Sequence, residues 1–428
     1  MSAVTCLRGE SVEAGEEVYI NVGQLEGDLI LTFPFDLGVE EALAQASPSE
    51  IPFAPEYDPR HGILMTDASI GGEFLNTGDI SAYHSAIQLE RVNVGGSVTN
   101  TGTLTSDESG IVLQEIEGVQ DFINLGIIQI TDPNLGDGMS ADRVTMSGVM
   151  ENAGTITARY GMLLTDSSVS GFVNNGTINS YQEGMTALDT SGEGSISIDG
   201  NVGVGSEGSI ITVQGNGIVL SSVQDVDSII NTGTITAGSH GIKLTDVSAQ
   251  SLYNNGIITA GTYVEDLGDG ETDANGSGIY LKDSNLQGNI TNDVDDQIKA
   301  ATHGIYLGET QGVTNVLNEG SINVDTDGIK LSGSTLDRIE EDNDFNSGNI
   351  INYRTGTITA GDDAIRLGGA IDYDDGMSTT PSLVEGDVVN MGVITADENA
   401  IDIDDSTVDG MISNSGTITS GDVTIDIG

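Results

Sequence analysis

Two adjacent carboxylates, Asp362 and Asp363 in the run Gly361 to Ile365, and a His240-Gly241 pair supply residue types used in inverting glycoside hydrolysis. That reaction needs one acid to protonate the leaving oxygen and one base to activate water. Two features weigh against catalysis: no Arg-x-Lys follows, and His61, His240 and His303 all stand in the same His-Gly-Ile word of a recurring strand. The pair therefore reads as part of a repeat, and the chain is expected not to be an enzyme.

Acidic loops are the second candidate chemistry. Asp266, Asp269 and Asp273 fall in one loop, Asp293, Asp295 and Asp296 in another, and Asp372, Asp374 and Asp375 in a third. Calcium takes six to eight hard oxygens, so these carboxylates are candidate calcium ligands, the alternative being plain solvated acidity. Neither an EF-hand spacing nor a Gly-Gly-x-Gly-x-Asp nonapeptide is present. A third feature is a strip of outward residues, Lys243, Tyr280, Tyr306, Lys330 and Arg366. On a chain with 12 basic residues it is a candidate lateral contact or glycan-binding strip, since aromatic rings and Arg are enriched at interfaces. Outward Thr pairs such as Thr155/Thr157 and Thr417/Thr419 could form a flat lattice of the ice-binding kind. The row is interrupted, and Thr as an ordinary β-former accounts for it.

The elements that position these residues come from a repeat. Its unit reads apolar-x-Asn-x-Gly-Thr-Ile-Thr-Ala, a turn, Gly-Ile-x-Leu, and a variable polar loop. The Asn recurs at Asn76, Asn100, Asn124, Asn152, Asn174, Asn231, Asn254, Asn318, Asn390 and Asn414, with degraded or inserted versions at Asn201, Asn292 and Asn352. Several spacings are 22 to 24 residues, the length of one turn of a three-stranded parallel β-helix. In Leu252 to Ala260 the residues Leu252, Asn254, Ile258 and Ala260 share one face, which period-two alternation aims inward. An Asn amide both donates and accepts, so stacked Asn side chains form a ladder that satisfies backbone groups at a corner. The Gly two residues later supplies the positive φ that a corner requires. Hairpins built on Asn-Gly would repeat every 8 to 12 residues, not once per unit.

These observations predict an all-β protein, a right-handed parallel β-helix (solenoid) of about fourteen coils over residues 61–428. Residues 1–60 hold Pro34, Pro48, Pro52, Pro55 and Pro59, strand-like runs at 17–22 and 29–33, and a short helix around 38–46. They are expected to form a distinct N-terminal cap or docking segment. The chain stops within the second strand of a coil, Val423 to Gly428, so another subunit or a continuation of a longer protein is expected to cover that end.

Composition narrows the partners. With 67 acidic against 12 basic residues the net charge is −55, which repels nucleic acid and anionic membranes. No apolar run approaches a transmembrane helix, no signal peptide is visible, and the lone Cys6 rules out an internal disulfide framework.

The words Asn152 to Ala158, Asn231 to Ala237 and Asn414 to Ser420, each followed by a Gly-Ile-x-Leu-like strand, resemble the repeats of bacterial autotransporter passenger domains and related surface adhesins. The resemblance spans about residues 61–428 and implies an exported, surface-associated protein, although no C-terminal membrane barrel follows. It leads to the expectation of a non-enzymatic extracellular rod, either an adhesin or a filament subunit. Its partners would be copies of itself, end to end, or cell-surface glycans and proteins, with no direct membrane insertion. The alternative is a β-helical carbohydrate-active or glycan-binding spike. Against it, His240 lies about five coils before the aspartates, the reverse of the order in β-helical polygalacturonases, and with Trp absent an aromatic sugar platform is poorly supplied.

Overall fold

The computed structural model describes residues 61–132, 135–188, 208–212, 214–261, 276–338, 347–368 and 381–428, together with the backbone of short strands at 29–31, 35–36, 196–198, 201–204, 265–266, 272–273, 370–371 and 378–379. Every regular element among them is a β-strand, and nearly all pair in parallel with the equivalent strand one repeat away. The fold is a parallel β-helix. The chain divides into two compact units, residues 1–181 with 185–196, and residues 182–184 with 197–428.

Three stacks of strands build each unit. In the N-terminal unit the Asn sheet contains Phe74–Asn76, Val98–Asn100, Phe122–Asn124, Val149–Asn152 and Gly171–Asn174, paired so that each Asn faces the next. The Thr sheet contains Ile80–Ala82, Thr103–Ser106, Ile127–Ile130, Thr155–Ala158 and Thr177–Ser180. The third, the Ile-x-Leu sheet, runs from Ile63–Thr66 to Met185–Leu188. Two strands of the N-terminal segment, Leu29–Leu31 and Phe35–Asp36, pair in parallel with Phe74–Asn76 and Ile80–Ala82. The strand expected at 17–22 and the helix expected at 38–46 lie outside the described residues.

In the C-terminal unit the Asn sheet runs from Asn201–Val204 to Ile412–Asn414, the Thr sheet from Ser209–Thr212 to Thr417–Ser420, and the Ile-x-Leu sheet from Ile218–Ser221 to Ile425–Ile427. The expected parity holds: Leu252, Asn254, Ile258 and Ala260 are buried while Tyr253 and Ile257 are exposed. Stacked aliphatic rows fill the interior, each fully buried side chain contributing about 1.5–3 kcal/mol.

The Asn side chains form the expected ladder. Asn76 Nδ2 donates to Asn100 Oδ1 at 2.7 Å, and the same bond recurs at 2.8–2.9 Å through Asn124, Asn152 and Asn174. In the C-terminal unit Asn231, Asn254, Asn292, Asn318, Asn352, Asn390 and Asn414 repeat it at 2.8 Å. Asn292 and Asn352 are thus full rungs, their extra residues accommodated in the turn that follows. Asn201 is not a rung: it pairs with Ser228, and Val204 stands opposite Asn231.

One expectation about glycine is corrected. The Asn-x-Gly glycines, such as Gly126 and Gly154, do not have positive φ. They are required because coils approach so closely that a Cβ on Gly154 would overlap the carbonyl oxygen of Gly126. Positive φ occurs instead two residues after the Ile-x-Leu words, at Asp67, Arg91, Glu115, Arg143 and Asp166, and at Asp246, Asp283, Glu309 and Asp405. Asp recurs there because its short polar side chain tolerates the left-handed region.

Candidate functional site

The outward strip of the C-terminal unit lies on five adjacent strands: Ile242–Thr245, Ile279–Lys282, Ile305–Gly308, Ile329–Ser332 and Ile365–Leu367. Because these strands pair without slippage, Lys243, Tyr280, Tyr306, Lys330 and Arg366 are direct neighbours, and Asp402 and Asp426 extend the row. The sequence strip is therefore one continuous row.

The rings are occupied by one another. Tyr280 and Tyr306 stack at 5.0 Å between centroids and 13° between planes. His240 lies 4.6 Å from Tyr280, and His303 lies 5.3 Å from Tyr306. Lys243 Nζ is 6.0 Å from the Tyr280 centroid, at the limit of a cation–π contact. Tyr306 is buried, at 8% exposure.

The cations are also engaged. Lys330 Nζ is 3.2 Å from Asp327 Oδ2, and Arg366 lies 3.5 Å from Asp363 Oδ2 and 3.6 Å from Asp402 Oδ2. Asp327 and Asp363 are each 2% exposed, so the strip's positive charge is largely matched by buried carboxylates.

Asp363, His240 and their equivalents belong to a second ladder that the sequence reading did not identify. Glu183 Oε2 accepts from the backbone N–H of Asn216 at 2.6 Å, and Asn216 Oδ1 from that of His240 at 2.9 Å. His240 Nδ1 accepts from Ser277 N–H at 3.0 Å, Asp363 Oδ1 from Asn399 N–H at 2.9 Å, and Asn399 Oδ1 from Val423 N–H at 3.2 Å. The available signal was the polar residue preceding Gly in most Gly-Ile-x-Leu words. His240 and Asp363 are four coil steps apart, through Ser277, His303 and Asp327, or about 19 Å at the inter-strand spacing. The two halves of the catalytic constellation do not meet.

Burial shapes the protonation of this region. Burial, then Lys243, holds His240 down to about 3; burial, then Lys330 and Arg366, does the same to His303. Both imidazoles are neutral, as the acceptor role of His240 Nδ1 requires. Burial and the neighbouring Asp363 charge push Asp402 up to about 6. Its ordinary value is 3.8, so between these values the folded state binds more protons, and stability falls as pH rises through that window. Asp402→Asn removes this dependence. Relative to the variant, the parent chain should gain on the order of 1 kcal/mol between pH 7 and pH 4, allowing for solvent screening. Urea midpoints of both proteins at the two pH values test this, and parallel pH profiles would contradict it.

Of the candidate calcium residues, Asp293, Asp295 and Asp296 share the turn after the Asn292 rung. Burial, then the charges of Asp293 and Asp295, pushes Asp296 up to about 6, and its buried Oδ2 lacks a hydrogen-bond partner. Among the described residues no group of three or more His, Cys, Asp or Glu is placed to hold a metal ion. Asp266 and Asp273 belong to an antiparallel pair in which Glu265 faces Asp273 and Asp266 faces Thr272. Asp269, Asp372, Asp374 and Asp375 lie outside the described residues. No helix among the described residues is long and apolar enough to cross a membrane.

No family model, curated protein or solved structure matches this chain.

Proposed function

We propose that this protein is a non-enzymatic extracellular structural element, the stalk of a cell-surface adhesin or a subunit that stacks end to end into a filament. The observation that carries the reading is the uninterrupted stacking of the C-terminal unit, where one Asn–Asn bond of 2.8 Å links every layer from Asn231 to Asn414. In such a stack each layer satisfies the backbone groups and covers the apolar rows of the one before it, so a further layer of parallel strands can extend it. A second copy of the chain offers such a layer. The low cysteine content and polyanionic surface suit a chain that works outside the cell. The glycan-binding alternative is less well supported, because Tyr280 is packed against the rings of His240 and Tyr306, and Lys330 and Arg366 face buried carboxylates.

Negative-stain electron microscopy of the purified chain, with calcium and with a chelator, tests the filament form. Filaments with one-subunit periodicity are expected, and Ile427→Asp should shorten them to single particles. Single short particles under both conditions would overturn end-to-end stacking and leave the adhesin stalk. Filaments in calcium alone would assign the acidic loops a cation.

A further inference from the structure

The outward strand positions of the Thr sheet in the C-terminal unit are nearly free of charge, as are those of the Thr sheet in the N-terminal unit. Across eight strands, from Ser209–Thr212 to Thr417–Ser420, the outward positions carry one charged side chain, Lys299. The others are Thr, Ser, Asn, Gln, Ile or Val, in rows aligned by the pairings that run from Thr234 through Ile257 to Thr417. Ile211, Ile257 and Val393 are 46%, 43% and 42% exposed on this face, and Tyr253 and Val294 are 40% exposed beside its Asn corner. Depletion of charge at the centre of a patch, with apolar groups left in water, is the compositional mark of a protein interface.

We infer that this face is a lateral interface whose occupant is a second copy of the chain, the two Thr sheets packing face to face. Two arguments identify the partner. At a net charge of −55, most approaches of one copy to another bring carboxylates together, whereas the strands of this face meet their like with one lysine on each side, the carboxylates Asp295, Asp296 and Glu319 standing at the border. The outward rows also repeat at the strand spacing of about 4.8 Å, so two copies can align strand for strand, and an isologous pairing presents the same patch from each.

Eight strands at that spacing, each about 13 Å long, give roughly 450 Å² per partner. This lies below the roughly 800 Å² of a standard interface and defines a weak, reversible contact. Long-range repulsion opposes it until salt screens the polyanion, the Debye length shortening from about 30 Å at 10 mM to about 3 Å at 1 M. This contact does not depend on end-to-end stacking, since it uses a side of the solenoid.

Sedimentation velocity over a concentration series at low and high salt tests the inference. A concentration-dependent dimer is expected at high salt, weakening at low salt. Thr236→Glu with Thr359→Glu places charge on the outward face and should abolish the dimer while leaving the unfolding midpoint unchanged. Lys299→Thr removes the one charge and should strengthen association severalfold, an arm that does not rely on a disrupted surface. A monomer at every salt concentration would overturn the inference, as would a dimer indifferent to these changes. Association lost with Ile427→Asp but not with the Thr variants would assign self-contact to the solenoid end. Retention on a neutral insoluble glucan without dimerisation would assign the face to a polysaccharide and equally overturn it.

Discussion

Asn318→Leu should destabilise the C-terminal unit by about 3–5 kcal/mol, the largest effect expected of any isosteric change in the molecule. Asn318 Oδ1 accepts from Asn292 Nδ2, and its own Nδ2 donates to Asn352 Oδ1, both at 2.8 Å in a fully buried row. Leucine fills the volume but leaves a donor above and an acceptor below with reduced or no partnership. Each such buried group costs about 1–3 kcal/mol. Because the damage lies in the stranded neighbours, Asn318→Leu combined with Asn352→Leu should cost clearly less than the sum of the single changes. Urea unfolding of the three variants measures this. A single-variant loss below about 1 kcal/mol would mean that the ladder is packed but not energetically coupled.

Gly154→Ala should cost about 3 kcal/mol or more, because an added methyl must separate two coils at the carbonyl of Gly126. Gly118→Ala makes the contrast. Gly118 has φ of +85°, but the nearest atom to its added Cβ is Asn93 Oδ1 at 3.8 Å, so only backbone strain of about 1–2 kcal/mol applies. Thermal unfolding of both variants separates steric from conformational demand. If Gly118→Ala proved the more damaging, the close approach of coils at the Asn corner would not be what selects glycine there.

The architecture was legible because the repeat is written twice, in the Asn-x-Gly corner and in the Ile-x-Leu strand. Each carries a period-two pattern that only one register satisfies. Asn292 and Asn352 were harder to place, since the residues inserted in the following turn break the Asn-x-Gly word while leaving the rung intact. Asn201 misled for the opposite reason, its letter matching while its register does not. The role of the corner glycines was misassigned because sequence reveals that a Cβ is unwelcome but not whether a dihedral or a neighbouring carbonyl excludes it.

The strip of Lys243, Tyr280, Tyr306, Lys330 and Arg366 was found from strand parity alone. Its meaning changed once Asp327 and Asp363 were seen beneath it. Those carboxylates sit three residues before the cations they face, at a corner whose polar residues vary in type from coil to coil. A ladder assembled from Glu, Asn, His and Asp presents no single letter to recognise, in contrast to one made of Asn throughout.

The Asn rungs among the described residues join positions 22 to 38 apart within each unit. The loop to be closed before each new layer docks is therefore short beside the whole chain, and every layer rests on one already formed. A chain made available from one end can thus order itself behind the advancing point, layer upon layer, without awaiting its distant remainder. Interrupting synthesis at successive lengths should leave intermediates whose protease-resistant portion grows in steps of one coil.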